Sequence, residues 1–237
     1  AWGRANPQAP PGHHNMDSTH ITHGVVRAGI GAGPWTFEAS AFQGREPDEL
    51  RTDLDLGPLD SYAGRVRYES GAWSAQVSAG HLNEPEPYEL LDIVRLTASI
   101  AYTGELRGRL LAATIAWGQN REGGSELDAY LVEGTWSART SETLYMRGEL
   151  ARKVIIGRAA LHPAGFRHAH QFSRIGALTG GYIRELVTNR FGRFGVGGDI
   201  TGYQVPTNLE PSYGSPVSFH AFLRWRAPVS AAAHVHQ

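Results

Sequence analysis

The chain has 237 residues, 41% of them hydrophobic and 19% charged, with a formal net charge of −1. That excludes a disordered chain and supplies enough apolar residues for a core, and the near-neutral balance argues against a nucleic-acid binder. With no cysteine, a disulfide framework, a thiolate metal site and a cysteine nucleophile are excluded, and no apolar run approaches the roughly 18–20 residues of a membrane helix.

In chain order, residues 1–18 read as an outer loop segment, 19–228 as a β-barrel and 229–237 as a C-terminal tail. Period-two alternation, the signature of strands, is clearest at 35–42, 62–69, 73–80, 94–102, 130–137 and 217–226. Weaker strands fit at 19–30, 109–119, 142–153, 171–184 and 191–204. Helix signals are few, with one turn expected at 85–91. The strands approach the roughly nine to eleven residues that cross a bilayer at a tilt. The fold class is therefore all-β, an antiparallel up-and-down transmembrane β-barrel with about 11–12 strands in this chain.

The connections are expected to alternate in length. Short turns fall at 31–34, 70–72, 103–105, 138–141 and 187–190; longer loops fall at 44–58, 83–92, 121–126, 155–170 and 206–215. Outer-membrane barrels show this asymmetry between their two sides. Trp35, Tyr68, Trp73, Tyr102, Trp136 and Trp225 lie near the short-turn ends, where an interfacial aromatic girdle belongs. The first strand would start on the loop side, whereas bacterial single-chain barrels have an even strand count with both termini periplasmic. The alternation therefore predicts at least one strand upstream, in a larger barrel of which this chain is a part.

Both charge signs recur on the polar faces, at Glu38, Arg65, Arg67, Arg95, Glu133, Arg147, Glu149, Asp199, Arg224 and Arg226. Facing lipid, such groups would cost about 2–4 kcal/mol each near the midplane; facing a lumen, they pair across strands or line a pore. No catalytic constellation emerges, since no carboxylate pair has a marked spacing and no nucleophile elbow or phosphate loop is present. Histidines are the candidate ligands for copper or zinc: His13, His14 and His20 near the start, and His168 and His170, which would share a strand face. His20 and His23 are three apart and would not share a face, so the first group needs His20 in the loop.

Three segments carry a resemblance. They are residues 12–14 with 17–22 and the following Gly24-Val25-Val26; 42–49, reading Phe-x-Gly-Arg-Glu-Pro-Asp-Glu; and 116–121, reading Ala-Trp-Gly-x-Asn-Arg. Across most of residues 5–226, the chain resembles a group of uncharacterised, porin-like bacterial outer-membrane barrel proteins. These are longer at the N-terminus, and some are encoded beside heavy-metal or copper resistance genes. The resemblance implies fold and outer-membrane location, and brings no functional residues. His23 stands where that group has an apolar or aromatic residue.

The expected function is a porin-like channel or transport-related envelope protein with a mixed-charge lumen. Its partners would be the lipid bilayer and small solutes or ions, with no nucleic acid. The alternatives are a copper- or zinc-binding envelope protein using loop histidines, a barrel-embedded lipid hydrolase, and a soluble β-barrel holding an apolar ligand. The last would point its apolar face inward, so the orientation of strands 35–42 and 217–225 separates it from the membrane reading.

Overall fold

A computed structural model describes residues 5–16, 24–45, 55–85, 91–154, 172–207 and 209–228. A short helix α1 (His13–Met16) precedes β1 (Val25–Ala32), β2 (Trp35–Phe42), β3 (Ser61–Ser70), β4 (Trp73–Leu82), β5 (Ile93–Leu106) and β6 (Arg109–Glu122). There follow β7 (Ser125–Arg139), β8 (Glu142–Val154), β9 (Phe172–Asn189), β10 (Gly192–Gln204), α2 (Glu210–Tyr213) and β11 (Val217–Arg226). The eleven strands of the described residues form one sheet in sequence order, each antiparallel to the next. The all-β, up-and-down class expected from the alternation is what the chain adopts.

The sheet departs from a closed barrel. Among the described residues no ladder joins β1 to β11. With eleven alternating strands the two edges run in the same direction, so they cannot complete an antiparallel ladder with each other.

The register explains the two faces. Phe37, Val66, Val77, Ala98, Trp117, Tyr130 and Leu150 are successive cross-strand partners, as are Glu38, Arg65, Ser78, Thr97, Gly118, Ala129 and Ala151 one position along. One face is thus apolar across the sheet and the other is polar or small. The apolar face is the more exposed: Ile30, Phe37, Val77, Ile115, Val132 and Phe219 all lie open, and Leu223 is 86% exposed. The polar face carries most of the buried side chains, including Arg147, Thr179, Asp199 and Thr201. Apolar side chains on this face gather in two small clusters, Phe42–Leu82–Ile93 and Ala5–Tyr145–Ile183, with Leu127 and Leu131 buried between the charged groups.

Three turns differ from expectation, one of them at 187–190, where β9 continues to Asn189 and the chain reverses at Arg190-Phe191. Thr103-Gly104-Glu105 lies inside β5, and the chain reverses at Arg107-Gly108, both at positive φ (54° and 69°). The loop expected at 121–126 is a two-residue turn at Gly123-Gly124, φ 53° and 79°. Two consecutive positive-φ residues match the twist of a tight hairpin. One loop-side connection is therefore as short as those opposite, and the length alternation is broken there. The turn expected at 85–91 falls mostly outside the described residues.

Residues 5–16, expected as an outer loop, lie against the polar face. α1 packs on β5, β6 and β7. Gly118, Ala129 and Ala151 make the bed: a Cβ on Gly118 would overlap the Asn15 carbonyl, and one on Gly12 would come within 2.8 Å of the Ala129 Cβ. Small side chains let the segment approach the sheet backbone closely.

Candidate functional site: the charged polar face

All ten charged positions singled out from the sequence stand on strands and on the polar face, by register and by burial. The structure groups them into local clusters. On β1–β3, Glu38 is shared by Arg27 and Arg65, with Arg65 Nε donating to Glu38 Oε2 at 2.6 Å. Among the described residues Arg67 reaches Glu69, at 3.7 Å, and its buried Nε has no hydrogen-bond partner.

On β7–β8 the balance is reversed. Arg147 lies between two carboxylates, with Nε 2.6 Å from Glu149 Oε1 and Nη1 3.5 Å from Glu133 Oε2. Its Nη1 also donates to the Gln8 carbonyl at 2.8 Å. On β9–β11, Glu185 accepts from Arg224 at 2.6 Å and also from Arg226. Asp199 accepts from the Tyr145 hydroxyl at 2.7 Å and from Gln8 Nε2 at 2.6 Å, and lies 3.0 Å from His220 Nδ1. Arg95 Nε donates to Asn120 Oδ1 at 2.7 Å. Buried charges held in this way are paired or hydrogen-bonded because desolvating them alone is costly.

The N-terminal segment is stitched into these groups. Asn15 Nδ2 donates to the Leu127 carbonyl at 2.7 Å, and Asn120 Nδ2 to the His14 carbonyl at 3.3 Å. Gln8 bridges Arg147 and Asp199. The segment thus runs across the polar face from β5 to β11. The sequence motifs at 12–14 and 116–121 meet here, where α1 lies over Gly118 and Asn120.

The aromatic positions near the short turns also come together. Trp35 and Tyr68 have ring centroids 4.7 Å apart, and Trp73 and Tyr102 are 4.9 Å apart. Trp35, Trp73 and Trp225 are exposed on the apolar face. At the other end of that face Asp128 accepts from the Trp117 indole at 3.0 Å and from Gln119 at 3.1 Å.

The histidines assemble no metal centre among the described residues, where no group of three or more metal-ligating side chains converges. His13 and His14 are neighbours with ring centroids 4.3 Å apart, and His13 Nδ1 lies 2.5 Å from the Pro10 carbonyl. His20, His168 and His170 fall outside the described residues.

Sequence reading missed Arg27, Glu185, Tyr145 and Gln8. Arg27 sat in a weakly alternating segment, and Glu185 lies one residue beyond the expected end of its strand. Tyr145 shares strand parity with Arg147 and Glu149, the signal that could have found it. No signal marks Gln8, because its role depends on the segment folding back over the sheet.

No helix of the described residues is long and apolar enough to cross a membrane. Comparisons with protein-family models, curated proteins and solved structures find no match.

Proposed function

We propose that the chain is a bacterial outer-membrane β-barrel protein of porin-like type, conducting small solutes or ions along a mixed-charge lumen. The observation that carries this reading is the inversion of the sheet: branched and aromatic side chains are exposed on one face while arginines and carboxylates are buried on the other. A water-soluble monomer rarely exposes an apolar patch larger than a few hundred Å², and this one extends across all eleven strands. Lipid is the solvent in which such a face is favourable, and charged groups then belong on the enclosed side. A soluble barrel around an apolar ligand would need the opposite orientation. The tryptophan and tyrosine pairs at the short-turn ends fit the hydrocarbon–water boundary.

Spanning a bilayer also requires both sheet edges to be hydrogen-bonded. A strand running opposite to β1 and β11 would satisfy both.

The test is to refold the protein with phosphatidylcholine vesicles and measure both membrane association after urea washing and the swelling of the vesicles in small sugars. Urea-resistant association with solute-dependent swelling is expected. A protein that washes off, or that remains bound without admitting any solute or ion, would overturn the channel reading.

A further inference from the structure

The polar face is not electrically uniform in what it leaves open. We propose that the arginines of β1 and β3 form the solute-facing surface of the lumen and select small anions. This deepens the channel reading and rests on it.

Most mid-strand carboxylates are used up as buried partners. The side chains of Glu38, Glu149, Glu185 and Asp199 are no more than 7% exposed, and Glu133 is 13% exposed. Arg27, Arg65 and Arg67, in contrast, remain between 34% and 57% exposed. Arg27 and Arg65 share one carboxylate, so that cluster carries one unbalanced positive charge. Among the described residues Arg67 pairs with Glu69, at the turn end of β3 and 3.7 Å away.

The acidic surplus lies on the opposite part of the sheet, and it is covered. Two carboxylates flank Arg147 there, beneath the backbone of residues 5–16, with the Gln8 carbonyl on Arg147 and Gly12 against Ala129 and Ala151. The hydrogen bonds of that segment reach β6, β7, β8, β10 and β11, and among the described elements its helix α1 packs on β5–β7. A solute moving along the polar face therefore meets the basic wall and not the acidic one. Guanidinium groups present several N–H donors to an oxyanion, and those of Arg27 and Arg67 are open enough on the polar face to meet one. Small inorganic anions, chloride and phosphate among them, are the class this wall suits; a like charge repels cations from the same path.

The experiment measures reversal potential in a potassium chloride gradient across a planar bilayer holding the refolded protein. Chloride should permeate better than potassium. Replacing Arg67→Gln should lower the chloride-to-potassium permeability ratio about threefold, the expected effect of one partly screened charge acting oppositely on the two ions. Arg67→Lys should restore most of it. Arg27→Gln, whose carboxylate keeps Arg65, should shift the ratio the same way, and Arg184→Gln on the apolar side should leave it unchanged. Conductance that favours potassium, or a ratio unmoved by both lumenal variants, would overturn the anion assignment while leaving the channel standing. A refolded protein without any conductance would remove both.

Discussion

Replacing Arg147→Met tests the charged face where its geometry is tightest. The Arg147 side chain is 4% exposed, and its guanidinium faces both Glu149 at 2.6 Å and Glu133 at 3.5 Å. Removing the cation leaves two carboxylates close together with no counter-charge and takes a donor from the Gln8 carbonyl. Breaking a buried ion pair in this way costs about 3–5 kcal/mol, and orphaning the carbonyl adds about 1 kcal/mol. The sum should appear as a shift in a urea titration of the protein folded into vesicles, read by tryptophan emission. The companion variant Arg147→Met/Glu133→Gln/Glu149→Gln removes the repulsion and should recover most of the loss. A single variant that costs less than about 1 kcal/mol would refute the claim that Arg147 holds a buried cluster together.

Further outcomes follow from the same geometry. Gly118→Val drives a side chain into the Asn15 carbonyl; residues 5–16 should leave the sheet, seen as new protease cleavage near α1 while the strands stay intact by circular dichroism. Val132→Arg, on the exposed apolar face near the middle of β7, should destabilise the vesicle-bound protein by about 2–4 kcal/mol. Thr114→Arg, one register step away beside Glu133 on the polar face, should cost clearly less in the same titration. Asn15→Ala removes a buried 2.7 Å hydrogen bond to the Leu127 carbonyl and should weaken attachment of the N-terminal segment by about 1–3 kcal/mol, measured as faster amide exchange in residues 5–16.

Strand content and face assignment were legible because they depend only on local alternation. The strands at 35–42 and 217–226 begin and end as expected, since most hydrophobic residues there keep period two, with Phe42 and Phe222 the exceptions, up to a turn signal. Turn positions were less legible. Gly104 looked like a turn residue, yet it sits in β5 with the Tyr102 ring covering the space a side chain would take, and the reversal waits for Arg107-Gly108. A glycine that makes room for a neighbouring ring and one that adopts positive φ are identical in sequence. The charged residues were found because strand parity places them, but their pairing was not. That Glu38 serves two arginines while Arg147 serves two carboxylates depends on cross-strand register, which parity alone leaves free. The course of residues 5–16 was hidden for a related reason: a Pro-rich run of polar and small residues reads as solvated loop, and only the bed of Gly118, Ala129 and Ala151 receives it.

The central claim is that the apolar face meets lipid and the charged face does not. The chain has no cysteine, so single cysteines can be introduced along β6 and β7 and labelled with a polarity-sensitive fluorophore in the vesicle-bound protein. Labels at Ala113, Ile115, Tyr130 and Val132 should be quenched by brominated lipid. Labels at Thr114, Ala116 and Leu131 should be insensitive to it. Strict alternation between neighbours is the predicted result; equal quenching at adjacent positions, or none anywhere, would contradict the account.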